Sequence, residues 1–400
     1  MHPLTRYRTA LAYPGVARVT AAAFTCRLLA GMVSLSLLLA AERATGSYAG
    51  AGAVLAAYAV ALAFTSPLWG RLADHRGPRM ALAVATSSQS AAFAMFVLLA
   101  ATSAATLFLV VSAFLAGAAT PPAAAVSSAV YVRTVPDEQA RRTLFALNGM
   151  LTESVFVLGP LAVAGVVLVL SPVYAVVLCA VTSASGVWWL RAAAALRAMD
   201  ADRPSLTTRL RMAPSRRQAH LFLVVAVAAF AIGALQVSVV AHAAELAVSS
   251  GALLAILAVG GVVGSFLYGG MTFLGSPVTQ LALALTLYGG FILVLGFGPG
   301  VVASAVLLFA IGAVNSPADA IESLLVGEYS PQETQSQAFA VLVAANWIGF
   351  AAGSAVGGAV VQHVSIGLAA TCAALAALGA AASLLVPLVR GTPRLMREAG

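Results

Sequence analysis

The chain has 400 residues, of which 61% are hydrophobic and 8% charged. Soluble domains carry roughly 25% charged residues, so this composition excludes a water-soluble globular protein and describes one built for a bilayer. The net charge is +8 and lysine is absent; the arginines sit at the ends of apolar runs rather than in one patch, which points to membrane topology and away from nucleic acid.

A spanning helix needs about 20 mostly apolar residues. Charge, proline and glycine cut the chain into twelve such runs, beginning with 15–41 and 47–69. The first is too long for a signal-peptide core and is expected to remain as a span. Next comes a charged knot, "WGRLADHRGPRM" (69–80), set between stretches that carry no charge from Arg43 to Arg71 and from Arg79 to Arg133. Spans are then predicted over 79–100, 104–131, 143–169 and 172–192. The segment from Arg191 to Arg217 is polar and rich in arginine, and it separates these six from six more over 218–245, 249–270, 277–298, 301–326, 337–362 and 366–389. The expected organisation is an N-terminal six-helix bundle (1–192), a basic linker (193–217) and a C-terminal six-helix bundle (218–400). Positive charge is retained on the cytoplasmic side, so both termini, the knot and the linker are expected there. The expected location is a bacterial inner membrane, crossed many times.

An internal repeat supports the division. "GAATPPAAAVSSAVYVRTVPDE" (117–138) aligns without a gap on "GAVNSPADAIESLLVGEYSPQE" (312–333). Gly117 meets Gly312, Pro122 meets Pro317, Pro136 meets Pro331 and Glu138 meets Glu333. The fourth span therefore repeats as the tenth. Cys26, Cys179 and Cys372 lie far apart in apolar runs, a spacing that suits neither a metal site nor a disulfide framework.

The knot reads as the turn between spans two and three, with Gly70 and Gly77 permitting close approach, Pro78 opening the next helix, and Asp74 accepting from backbone N–H groups or pairing with Arg76 or Arg79. It resembles the signature loop of the major facilitator superfamily, Gly-x-Leu-Ala-Asp-Arg-x-Gly-Arg-Arg/Lys: Gly70, Leu72, Ala73, Asp74, Gly77 and Arg79 match, while His75 and Pro78 depart from it. The resemblance implies an all-α membrane protein with two six-helix pseudo-repeat halves, and a gating loop (Gly70, Asp74, Arg76, Gly77, Arg79) that locks and releases those halves. The corresponding stretch of the second half, "GGMTFLGSP" (269–277), has no charge. Gly159 and Pro160 in span five resemble the pattern of drug–proton antiporters. The neighbouring glycines of that pattern are replaced by Val155, Val163 and Ala164, and Ala113 stands where span four of those antiporters carries an arginine.

Charges inside the spans carry the most information, since each costs about 2.5–3.5 kcal/mol or more at mid-bilayer and needs a partner or a wet cavity. Arg27 and Glu153 both lie roughly 15 Å along their helices, and in this family spans one and five are neighbours, so the two are expected to pair. Asn315, Asp319 and Glu322 are spaced i, i+4, i+7 and are expected to share a face of span ten. Arg27, Glu153, Asp319 and Glu322 are thus the candidates for proton and substrate coupling, and Asn148, Gln236, Asn315 and Asn346 for lining a cavity. Gly349, Gly353 and Gly357 suit close helix packing. His242 and His363 are expected near the outer surface.

No nucleophile arrangement, phosphate loop or metal cluster emerges, so no cofactor is expected and an enzyme is disfavoured. The absence of a sizeable polar domain argues against a receptor. The reading is a secondary active transporter, acting as a monomer with protons, a small-molecule substrate and membrane lipid as partners, that exports small lipophilic or cationic compounds by proton coupling. The alternative is uptake of a sugar or amino acid.

Overall fold

The computed structural model describes residues 3–102, 104–201, 214–273 and 275–390. Within them the chain is helical throughout: α1 (Pro3–Leu11), α2 (Val16–Thr45), α3 (Tyr48–Arg76), α4 (Pro78–Ala101), α5 (Thr106–Ala118), α6 (Ala123–Thr134), α7 (Glu138–Val169), α8 (Val173–Arg191), α9 (Ala194–Ala201), α10 (Arg216–Glu245), α11 (Ser250–Gly270), α12 (Pro277–Leu295), α13 (Val301–Tyr329), α14 (Gln335–His363) and α15 (Ile366–Arg390). Twelve candidate membrane spans result, with α5 and α6 together forming one. Linker residues Arg203, Arg209 and Arg211 fall outside the described residues, as do Arg394 and Arg397.

Two elements were not anticipated from the sequence. α1 is a short helix before the first span, and α9 is a helix inside the basic linker. Two others differ from expectation. The charged knot is barely a turn: α3 runs to Arg76, and only Gly77 separates it from α4. Gly77 has φ 90°, a left-handed backbone that L side chains rarely adopt, and Pro78 is preset for the first helical position. The fourth span is broken between α5 and α6, because Pro121 and Pro122 lack N–H groups and disfavour helix in the residue before each. The repeat in span ten has a single proline, Pro317, and α13 continues through it.

A broken helix inside a membrane protein needs its freed polar groups satisfied. Trp69 Nε1 donates to the Ala118 carbonyl at 2.6 Å. Gln89 Nε2 donates to the Ala116 carbonyl and to Thr120 Oγ1, while Ser183 donates to Gln89 Oε1 at 2.8 Å. Buried Gln89 therefore replaces the missing backbone partners.

The two halves use the same packing scheme. α2 packs on α7 and α8 as α10 packs on α14 and α15; α3 packs on α5 as α11 packs on α13. The repeated glycines sit where these pairs cross. A side chain on Gly117 would strike the backbone of Tyr58 in α3, and one on Gly312 would strike that of Leu257 in α11. Gly349, Gly353 and Gly357 seat α14 against the backbone of α10 at Ala226, Phe230 and Ala234. Cys26 and Cys179 are buried and Cys372 is half-buried, all as free thiols. His242 is buried near the end of α10, bonded to the Pro299 carbonyl and Ser304 and beside Glu245.

Gly353 offers a clean test of this packing, because Gly358 on the same helix has open space around it. Gly353→Ala is expected to cost about 1–3 kcal/mol, as overpacking does, and to lower the melting temperature of the detergent-purified protein, whereas Gly358→Ala leaves it within experimental error. Equal melting temperatures for both variants would contradict the close α10–α14 crossing.

Candidate functional site

The halves meet along two seams, α3 on α14 and α7 on α11. Hydrogen bonds from Tyr7, Asp74, Arg133, Gln139 and Thr143 join the halves at one end of the bundle, the end where α2 begins. At the first seam, Asp74 near the end of α3 accepts from the backbone N–H of Ser336 (3.1 Å) and of Gln337 (2.7 Å), in the first turn of α14. α14 has no side-chain cap of its own at Thr334. The first N–H groups of a helix have no internal partner and carry its positive dipole end. Asp74 is therefore a helix cap supplied by the other half of the molecule, not the partner of Arg76 or Arg79. Gly70 makes it possible: an added Cβ would lie 2.6 Å from the Ser336 carbonyl oxygen and 2.9 Å from Gln337 Cα. Arg133 bonds the Gln332 carbonyl alongside. Arg76 is exposed, and Arg79 turns away to the Arg191 carbonyl and to Asp200 in α9, at 3.1 and 3.9 Å.

The second seam lacks an acid, and other groups bridge it. Thr143 Oγ1 donates to the Gly269 carbonyl at 2.7 Å, Arg142 lies over the Tyr268 ring, and Gln139 reaches the Met271 carbonyl. From α1, the Tyr7 hydroxyl sits 3.0 Å from the carbonyls of both Ser265 and Phe266, with its ring stacked on Phe266. Tyr7 was not singled out by the sequence, since a tyrosine beside Arg6 and Arg8 reads as interfacial.

Beyond these contacts the halves part around a cavity of about 280 Å³, lined by Arg27, Asn148, Glu153, Asp319, Glu322 and Asn346 among others. The structure thus brings six of the sequence candidates to one place. Gln236 and Asn315 line neither this cavity nor its neighbour. Asn315 lies on the same continuous helix as Asp319 and Glu322, with Pro317 between, and of the three only Asp319 and Glu322 border the cavity. Asp319 is open to the cavity, while Glu322 is 3% exposed and makes no hydrogen bond or ion pair among the described residues.

The expected Arg27–Glu153 pair does not form. Arg27 donates to Asn148 Oδ1 and, at 3.4 Å, to Ser127 Oγ. The reason is angular. Asn148 and Glu153 are five residues apart, which is about 140° around a helix. α7 presents Asn148, Val155 and Gly159 to α2, with Gly159 fitting over the Gly31 backbone. Its other face, Thr143, Ala146, Gly149 and Glu153, meets α11 and α13. An added Cβ on Gly149 would lie 2.9 Å from Ser265 Oγ and 3.1 Å from Ser316 Oγ, and one on Gly261 would lie 3.0 Å from the Glu153 carboxyl. Glu153 thus faces the second half and borders the same cavity as Asp319.

A second cavity of about 200 Å³ adjoins the first and shares Arg27 and Trp347 with it. Its walls are largely apolar, from Leu29, Val33, Leu55 and Leu62 of the first half, and it opens beside the α5–α6 break at Thr120–Pro122. Trp347 was missed from the sequence; its signal was an indole next to Asn346 inside an apolar span.

A family profile described as the Major Facilitator Superfamily matches residues 19–275. The chain belongs to that superfamily. No curated protein sequence matches it, but solved structures share the facilitator fold. The human organic anion transporter MFSD10 (TETRAN) is 17% identical with a TM-score of 0.74, covering 93% of this chain and 100% of that one. A bacterial homologue of the iron transporter ferroportin, solved in an outward-facing state, is 12% identical with a TM-score of 0.78, covering 94% and 100%. The proton:xylose symporter XylE is 14% identical with a TM-score of 0.67, covering 94% and 96%. This facilitator therefore has a transporter fold.

The cap by Asp74 yields a direct expectation. Loss of an N-cap costs about 1 kcal/mol, which is roughly a fivefold change in a two-state ratio. With spin labels on cysteines placed at exposed Arg76 and Glu333, Asp74→Ala is expected to move population from the short-distance peak to a longer one. An unchanged distance distribution would show that Asp74 does not hold the seam.

Proposed function

We propose that this facilitator is a proton-coupled exporter of small lipophilic or cationic compounds. The observation that carries the reading is that carboxylates from both halves, Glu153 from the first and Asp319 and Glu322 from the second, border one cavity. Like charges on opposing walls resist closure of the cavity between them. Protons or a cationic substrate relieve that repulsion; an empty, fully ionised cavity does not. Either cargo therefore permits the halves to rock, and the unloaded protein stalls, which is the condition for exchange rather than leak.

The export reading rests on the inferred topology. Arg71, Arg76, Arg133, Arg141, Arg191 and Arg216 all lie at the end where the halves are bonded, and retained positive charge puts that end in the cytoplasm. Both termini then face the cytoplasm, and the structure corresponds to a state closed inside. Separation at the other end is supported by the core: Leu29, Met32, Leu37, Phe93, Phe96 and Cys179 belong to a cluster of the first half alone. In this state external protons reach the acids and displace a cation outward. Gly70, Asp74 and Gly77 form the cytoplasmic latch, which opens on the return step. Among the described residues no three His, Cys, Asp or Glu side chains gather into a set that would hold a metal ion, which favours an organic cargo.

The test uses an efflux-deficient bacterium expressing the chain and a panel of toxic cationic, neutral and anionic compounds. Glu153→Gln and Asp319→Asn, at wild-type membrane abundance, are expected to lose at least tenfold of the resistance to cations and its dependence on external pH. Wild-type resistance and pH dependence in both variants would refute coupling through these acids.

A further inference from the structure

Arg27 is the unusual member of the site. It borders a cavity with three carboxylates, yet none of them pairs with it; its guanidinium is held by the neutral acceptors Asn148 and Ser127, and its Nε is buried without a partner. A guanidinium presents five N–H donors in a rigid plane that suits an oxyanion, and two neutral acceptors do not neutralise its charge. On the opposite wall, Glu322 is almost fully buried, unpartnered and borders the same space. The site thus keeps opposite charges apart, on different helices, with room between them. Arg27 also stands at the neck between this cavity and the apolar one, together with Trp347. The two cavities together have the volume of a drug-sized site.

We infer that the molecules carried are apolar zwitterions. The amine lies against Asp319 and Glu153, a carboxylate or comparable oxyanion lies against the Arg27 guanidinium, and a ring system fills the apolar cavity beside Leu55, Leu62 and Trp347. This rests on the reading of the central cavity as the transport site, and it narrows the cargo from any lipophilic cation to one that also carries an acceptor for Arg27. A plain cation leaves Arg27 uncompensated, and a plain anion leaves it facing three acids across the cargo. Only a molecule carrying both charges satisfies the two walls at once.

Equilibrium binding to the purified protein in nanodiscs tests this without a gradient. The probes are matched triplets on three scaffolds, phenylalanine, naphthylalanine and biphenylalanine: the free amino acid, its methyl ester and its N-acetyl derivative. On at least one ring scaffold the amino acid is expected to bind at least tenfold more tightly than either derivative. Arg27→Gln is expected to abolish the advantage over the ester while keeping that over the N-acetyl compound, and Asp319→Asn to do the reverse. A merely structural Arg27 would weaken all three alike. Arg27→Lys, which keeps the charge, is expected to retain part of the preference. Equal or tighter binding of the ester on every scaffold, or no binding by any triplet, overturns the inference, and the wild-type ranking decides this even if a variant fails to fold. The outcome is separable from export. Resistance in cells with the ranking reversed would sink only the zwitterion, whereas the expected ranking without proton-dependent export would sink only the coupling.

Discussion

The structure depends on one borrowed helix cap. α14 begins without a side-chain acceptor of its own, and Asp74 supplies it from the opposite half of the molecule. A cap that crosses the interface makes the stability of a helix end conditional on the position of the other half. Whenever the halves separate at this end, Ser336 and Gln337 lose a charged acceptor and must find water. The cost is about 1 kcal/mol, small enough to be reversible and large enough to bias a two-state equilibrium. Everything near it serves the approach: Gly70 lets α3 come close, and Gly77 with Pro78 turns the chain within a single residue.

The second half has no acid at the equivalent place, so the other seam is closed differently. Hydroxyls on Thr143 and Tyr7 sit at carbonyls near the end of α11, and an arginine lies on an aromatic ring. These contacts are mostly neutral and local. The two seams are therefore chemically unequal, one an ionic cap and the other a set of hydroxyl bonds, although the helices around them pack by the same repeated scheme.

Between the seams, α7 serves two neighbours with two faces. One is shaped to α2 and ends in Asn148 holding Arg27; the other is narrow enough at Gly149 to touch α11 and α13, and ends in Glu153 where the halves diverge. This division keeps the arginine and the acid of the first half apart. The cavity therefore contains separated charges instead of an internal ion pair.

Much of this was legible in the sequence. The twelve spans, the pseudo-repeat and the close packing at Gly349, Gly353 and Gly357 follow from composition and spacing, because bilayer thickness and backbone approach act locally. The broken fourth span was written in Pro121 and Pro122 but hidden by an uninterrupted apolar run. The Arg27–Glu153 pair was inferred from equal depth and from the neighbouring of spans one and five; the angle around α7, shared by Asn148, Val155 and Gly159, was equally available and points elsewhere. The target of Asp74 lies 262 residues away, and no local rule reaches that far. Tyr7 likewise gains its role only from where α1 docks.

The most direct test of this account is amide hydrogen exchange at Ser336 and Gln337, measured on the protein in nanodiscs with Asp74 intact and with Asp74→Asn. The trans cap predicts protection of both amides in the wild type. It also predicts at least tenfold faster exchange in the variant, accompanied by faster exchange at the end of α11 as the second seam loosens with the first. Equal exchange in the two proteins at Ser336 and Gln337 would contradict the claim that Asp74 caps α14 from the opposite half.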